Sequence, residues 1–205
     1  MFAKIIRPAC SLLILMTVLL GVVYPLLVTG VAQLAFRGLA TGSLLYRNGK
    51  PIGSALIGQS FSDPGHIWGR PSATTPQPYN GLASTGSNLG PLNPALVDAV
   101  KANVKALRDA DSDNHQPIPV DLVTASASGL DPDISPAGAH FQAARVARAR
   151  GVSVAQVNAV IDAHTQQRIA GFFGEPRVNV LAVNLDLDDK FPIRKAAQPV
   201  PTPGN

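Results

Sequence analysis

The chain has one cysteine, Cys10, one glutamate, Glu175, and no charged residue between Arg7 and Arg37. A single cysteine excludes an intrachain disulfide and any cysteine-built metal centre. Also missing are the G-x-x-x-x-G-K-[ST] phosphate loop, the G-x-S-x-G nucleophile elbow, the H-E-x-x-H zinc helix and a dinucleotide fingerprint after a strand. The four histidines, His66, His115, His140 and His164, lie far apart, without metal-ligand spacing. His115 stands among Asp109, Asp111, Asp113 and Asn114, but this stretch has neither the regular oxygen spacing nor the closing glutamate of a calcium loop and reads as an acidic connector. No metal is expected. Lys4 and Arg7 precede the uncharged run, so 15 of the 17 Lys+Arg face all 13 Asp+Glu in the remainder, a net +2. A nucleic-acid footprint needs basic residues concentrated on one surface, so no nucleic-acid partner is expected.

What is present begins with the uncharged run itself. Residues 12–36 are almost wholly aliphatic, broken only by Thr17, Tyr24, Pro25, Thr29 and Gln33. About 20 apolar residues suffice for a helix to cross the bilayer, so this is read as a transmembrane helix with length left for tilt. A cleaved signal peptide is the competing reading, but its apolar region runs only about 7 to 15 residues and ends at a small-x-small site. Pro25 is tolerated in a span where neighbouring helices or hydroxyls satisfy the freed carbonyl. Basic residues flank both ends, and long domains translocate largely regardless of charge. The expected topology is a cytoplasmic N-terminus, a single pass through the cell inner (plasma) membrane, and a soluble domain that is periplasmic or extracellular.

The domain plan is a short basic tail over 1–11, the span over 12–36, a soluble α+β domain over 37–188, and a disordered Pro-rich tail over 189–205. Asn48-Gly49 between apolar runs predicts a hairpin over 43–56, because both turn residues accept positive φ. Residues 58–94 form a long Gly, Pro, Ser and Asn-rich stretch, and Phe61, Trp68 and Tyr79 argue that it is ordered and packed. Asn93-Pro94 opens a helix to about Ala110, with Leu96, Val100, Val104 and Leu107 on one face. Ser135-Pro136 opens another that stops at Gly151. Ser153 with Gln156 makes a capping box for a third, with Val157, Val160, Ile161, His164 and Ile169 as its buried stripe and Gly171 and Gly174 at its end. Val120 to Thr124 and the alternating Val178 to Leu187 are read as strands.

Ser84, Ser87, Ser126 and Ser128 lie in glycine-rich surroundings. A nucleophilic serine needs an adjacent base and an oxyanion site, while loop serines more often hydrogen-bond to the backbone. An anchored extracytoplasmic hydrolase and a freestanding binding protein are therefore the alternative functions. Asp131 and Asp133 are assigned to turns, and Arg177 could pair with either. Because binding residues concentrate on loops held by a rigid scaffold, Arg70, Tyr79, Asn80, Ser84, Ser87, Asn88, Asp131, Asp133 and Arg177 are candidate partner contacts. Thr17, Pro25, Thr29 and Gln33 are the candidates within the span.

Four soluble segments carry a resemblance: Arg70-Pro71-Ser72; Tyr79-Asn80-Gly81 through Ser84-Thr85-Gly86-Ser87-Asn88-Leu89-Gly90-Pro91; Thr124 through Leu130-Asp131-Pro132-Asp133-Ile134-Ser135-Pro136; and Phe173-Gly174-Glu175-Pro176-Arg177-Val178-Asn179-Val180-Leu181. With the N-terminal span and Arg145-Val146-Ala147-x-Ala149-Arg150-Gly151, and in this order, they resemble the C subunit of the Kdp-type potassium-transporting P-type ATPase. The match covers about residues 8 to 188. The resemblance implies an accessory, non-catalytic chain, partnered by a potassium-channel-like subunit, an ATP-hydrolysing P-type pump subunit and a very small membrane peptide, all in the lipid bilayer. It also implies a catalytic chaperone that raises the pump subunit's ATP affinity; ATP is shared with that subunit, and no cofactor is bound by this chain alone. Neither an Asp-Lys-Thr-Gly site nor a Thr-Val-Gly-Tyr-Gly-like filter is present, so ion selection and ATP hydrolysis fall to the partners.

Overall fold

The structure, a computed structural model, describes residues 2 to 193 and divides into two compact units, one ending at Ser54 and the other beginning at Ala55. In the first, α1 (Phe2–Val18), a π turn (Leu19–Val23) and α2 (Tyr24–Ala35) run on continuously. Lys4–Ala35 is long and apolar enough to cross a membrane. Its 32 residues rise about 48 Å, more than the roughly 30 Å of hydrocarbon. Helix begins at Phe2, within the stretch expected to be a basic tail. The π turn has an identifiable cause. Pro25 has no amide hydrogen, so the i−4 carbonyl, Gly21, loses its donor, and the ladder just ahead of it widens until Tyr24 N–H donates to Leu19 O.

A one-turn helix, α3 (Arg37–Ala40), leads to the hairpin of β1 (Leu44–Arg47) and β2 (Lys50–Ser54), with Arg47 opposite Lys50. Asn48 and Gly49 take φ of 52° and 74°, the left-handed pair that the turn requires.

In the second unit, α4 (Pro94–Ala110), α5 (Pro136–Arg150) and α6 (Val154–Ala163) lie where the capping signals predict them. The Asn93 side chain accepts from Ala95 N, Ser135 accepts from Gly138 N, and Ser153 and Gln156 form the reciprocal box. Gly151, at φ 68°, closes α5 in the left-handed conformation that glycine adopts without penalty. A small antiparallel sheet has the order β3 (Asp133–Ile134), β5 (Arg177–Asn179), β4 (Thr165–Gln166). The core joins Ala139, Ala143 and Val146 of α5, Val157, Val160 and Ile161 of α6, and Ile134 and Val178 of the sheet, with Val183 and Leu187 from the last helix. Each fully buried Val, Leu or Ile contributes about 1.5–3 kcal/mol.

Three expectations are corrected. Val120 to Thr124 is not a strand but a 3-10 turn at Val120–Leu122, which buries the adjacent Leu122 and Val123 and leaves Val120 exposed; a strand would alternate them. Of Val178 to Leu187, only the start is strand, and from Val180 the chain is helix α7 (Val180–Lys190). Residues 183, 185 and 187 fit a period of two, but Val180, Leu181, Val183, Asn184 and Leu187 are the buried set, a helical stripe. Asn179 caps it, and Asp186 pairs with Lys190 one turn on. The third correction concerns α6, which ends at Ala163, so Ile169 stands 69% exposed beyond it and Gly171 and Gly174 belong to a hairpin tip. α7 takes in Asp189 and Lys190, and Phe191 packs against the core, so the ordered chain extends past 188. The remainder of the expected tail, 194–205, lies outside the described residues.

Candidate functional site

Residues 58–93 contain no helix or strand, and side chains from α5 and α7 hold the first part of this segment. Asn184 Oδ1 accepts from Ile67 N at 2.8 Å while its Nδ2 donates to Ile67 O at 2.8 Å. Gln142 does the same for Trp68, at 2.9 and 3.1 Å. A primary amide carries an acceptor and donors side by side, so each replaces the strand neighbour that this backbone lacks. Both amides are 1% exposed, and each bond removed would leave a buried group unsatisfied.

Two arginines of α5 complete the clamp. Arg145 donates to Pro64 O and to Gln142 Oε1, both at 2.6 Å, and its guanidinium lies 4.4 Å from the Trp68 ring centroid. Arg150 donates to Gly65 O, Phe191 O and Asp188 Oδ1. Asp188 also meets His66 Nε2 at 3.1 Å. Burial alone would raise the Asp188 carboxyl, but the Arg150 hydrogen bond and the His66 and Arg150 charges hold it below its ordinary value.

This anchored backbone supports the loop that carries most of the candidate contacts. Ser72 Oγ donates to Gly129 O and accepts from Tyr79 N, while Thr74 Oγ1 donates to Gln77 O and accepts from Asn80 N. Tyr79 donates its hydroxyl to Arg70 O, and burial, aided by the Asp131 charge, pushes its phenol up to about 12. Its ring lies against Gly58, where an added Cβ would come within 2.4 Å. Asn80 ties Thr75 O to Leu82 N. Ser84 Oγ and Thr85 N both donate to Ser128 O, and Asn88, at φ 51°, donates to Gly86 O. Beyond this base the loop is open: Ser87 and Asn88 are exposed, Leu82 is 100% exposed and Leu92 95%.

Asp131, Asp133, Arg70 and Arg177 come together as two adjacent ion pairs. Asp131 accepts from Asp133 N, a turn role, and from Arg70 Nη1 at 3.1 Å. Arg177 chooses Asp133, at 3.0 Å. Burial raises the Asp133 carboxyl, against the Asn179 hydrogen bond that lowers it, with Asp131 raising it further and Arg177 opposing. These residues line an open groove of about 350 Å³ with Asp121 and Glu175.

In the apolar helix, Pro25, Thr29 and Gln33 stand four residues apart and share a face. Thr17 lies eight residues before Pro25, as Gln33 lies eight after it, so in a continuous α-helix the four would spread over about 160° of the surface. The π turn between Thr17 and Pro25 absorbs one residue, leaving an effective seven, about two turns, so Thr17 returns to the same stripe.

A cavity of about 730 Å³ has Asp111, Asp113, His115, His140 and Arg148 among its lining residues. Arg148 is already paired with the buried Asp111 at 3.0 Å, so the charge available there is acidic and does not suit a polyphosphate such as ATP. Among the described residues no three His, Cys, Asp or Glu are grouped to hold a metal.

The clamp residues Gln142, Asn184 and Asp188 are not among the expected contacts. Read as a strand, this stretch puts Asn184 and Asp188 together on the polar face away from the core, whereas the helix turns Asn184 inward with Val183 and Leu187.

The family model described as KdpC, the K+-transporting ATPase c chain, matches residues 6–189. Similar proteins bear the name potassium-transporting ATPase KdpC subunit. That of Variovorax paradoxus (strain S110) is 64% identical over 185 residues, 90% of this chain and 96% of the relative. The one from Polaromonas naphthalenivorans (strain CJ2) is 59% identical over 201 residues, 98% of this chain and 99% of the relative. That of Methylibium petroleiphilum (strain ATCC BAA-1232 / LMG 22953 / PM1) is 62% identical over 188 residues, covering 92% and 98%.

Proposed function

The chain belongs to the KdpC family, the c chains of K+-transporting ATPases, and from this premise we propose that it is a non-catalytic subunit that holds the channel-like and ATP-hydrolysing subunits of the potassium importer together. It is an accessory subunit of a potassium pump, associated with the membrane, with one apolar N-terminal helix that is the candidate span. The observation that carries the finer reading is the loop from Asn80 to Leu92. Ser84 and Thr85 tie it to Ser128, while Leu82 and Leu92 on either side of that tie are 100% and 95% exposed. A rigid loop with apolar tips is a docking element, and these leucines are its anchors. The stripe of Thr17, Pro25, Thr29 and Gln33 packs against a partner's helix, with each hydrogen bond from Thr17, Thr29 or Gln33 worth about 0.6 kcal/mol.

The body lies outside the cytoplasm, where it covers the ion entrance of the channel-like subunit. ATP is then out of its reach. Any gain in the pump subunit's ATP affinity passes through the packed membrane helices as a coupling free energy of about 1–3 kcal/mol. Co-purification tests both roles. The wild-type chain should retain the pump subunits, and Leu82→Asp combined with Leu92→Asp should lose most of them while its far-UV circular dichroism is unchanged. The pump subunit purified without this chain should have a KM for ATP higher by about 5- to 150-fold than in the complex. If cells lacking this chain assemble the complex and take up potassium normally, the reading fails.

A further inference from the structure

A second exposed apolar feature lies away from the leucine loop, at the tip of the hairpin between β4 and β5. Here Ile169, Phe172 and Phe173 are 69%, 67% and 62% exposed, and the two phenyl rings are in contact at 4.2 Å. The tip is held in one shape. Ala170 and Gly171 take φ of 54° and 83°, and Ile169 and Phe173 form an antiparallel bridge. Gly171 N donates to Arg168 O, Phe172 N and Phe173 N donate to Ile169 O, and Ile169 N donates to Phe173 O. Four amide hydrogens of the tip are thus satisfied without water. Immediately below, Arg168 and Glu175 face each other at 2.5 Å.

From this arrangement we propose that the Ile169–Phe173 tip inserts into the lipid–water interface of the membrane, as a second attachment of the body beside the N-terminal span. Four of the tip's five amides are paired within it, while the Ala170 N–H and the carbonyls of Ala170, Gly171 and Phe172 have no backbone partner there, which suits the hydrated interface and not the hydrocarbon core. A compact apolar wedge with a charged pair at its neck matches an interface in which side chains enter about 5–10 Å and charges remain in water. The connection is short: Leu44 pairs with Ser54, and Ser54 Oγ donates to Gly42 O, so the hairpin returns the chain to where it began. Only residues 36–43 add reach beyond the helix end at Ala35, roughly 30 Å at most if extended. That tether gives the tip a high effective concentration at the bilayer surface, so a weak insertion suffices. The proposal rests on membrane anchoring by the N-terminal helix and is independent of which subunit the leucine loop contacts.

The full-length Phe172→Trp variant, reconstituted in lipid vesicles, tests this against the wild-type chain, whose sole tryptophan, Trp68, supplies the background. The added emission should be blue-shifted, lost when the vesicles contain lipids brominated on the acyl chain, and resistant to iodide in the water. Phe173→Trp, at the neighbouring ring, should behave alike. Added emission that iodide quenches and brominated lipid does not would overturn the proposal. So would added emission from either variant that is protected from both quenchers in the assembled pump complex, because the tip would then be covered by protein.

Discussion

At the scale of single residues, the clamp on Ile67 and Trp68 is where one substitution should matter most. Asn184→Ala removes both bonds to Ile67 and leaves a buried N–H and C=O unpaired, at about 1–3 kcal/mol for each group. Urea unfolding followed by Trp68 fluorescence should show the body destabilised by roughly 2–6 kcal/mol on that basis. A shift below about 0.5 kcal/mol would mean that solvent replaces the amide. Tyr79 gives the pH dependence. Its phenol is protonated in both states below the ordinary 10.0, so it adds no pH dependence there. Between 10.0 and about 12 the unfolded chain releases the proton and the fold retains it, so stability falls as pH rises through that window. Tyr79→Phe should flatten the decline; an unchanged slope would place its cause in another group.

At the scale of elements, the capping signals were legible because they are local. Asn93-Pro94, Ser135-Pro136 and the Ser153–Gln156 box each act within one turn, and each begins a helix where expected. Ser153→Ala should lower the stability of the body by about 1 kcal/mol, read from the urea midpoint. No movement of that midpoint would show that α6 is held by packing alone. The hairpin at Asn48-Gly49 was equally readable. Val180–Lys190 was not, since residues four apart lie on one face in both helix and strand, and burial against α5 and α6 decided between them. Val120–Leu122 failed for a similar reason: β-branched residues favour strands only when a neighbouring strand is there to pair, and none is at this place.

At the scale of the whole molecule, the two units set the test of topology. With the body outside, protease added to intact spheroplasts should degrade it; a body that survives while a known external protein is cut places it in the cytoplasm. Of the candidate contacts, the structure gathers Arg70, Asp131, Asp133 and Arg177 into paired charges and puts Asn80, Ser84, Ser87 and Asn88 on one loop. The exposed Leu82 and Leu92 escaped notice because isolated leucines in a loop carry no periodic signal.

The sequence by itself determined the uncharged N-terminal run, the three capped helices, the Asn-Gly hairpin and the family, because each rests on local chemistry or on contiguous segments. Only the tertiary structure decided the helical state of Val180–Lys190 and the amide clamp that orders the long loop. Asn184 and Ile67 are separated by 117 residues, and no local pattern records that each satisfies the other. Such pairings follow from which backbone groups packing strips of water, and that is settled only when the whole chain has folded.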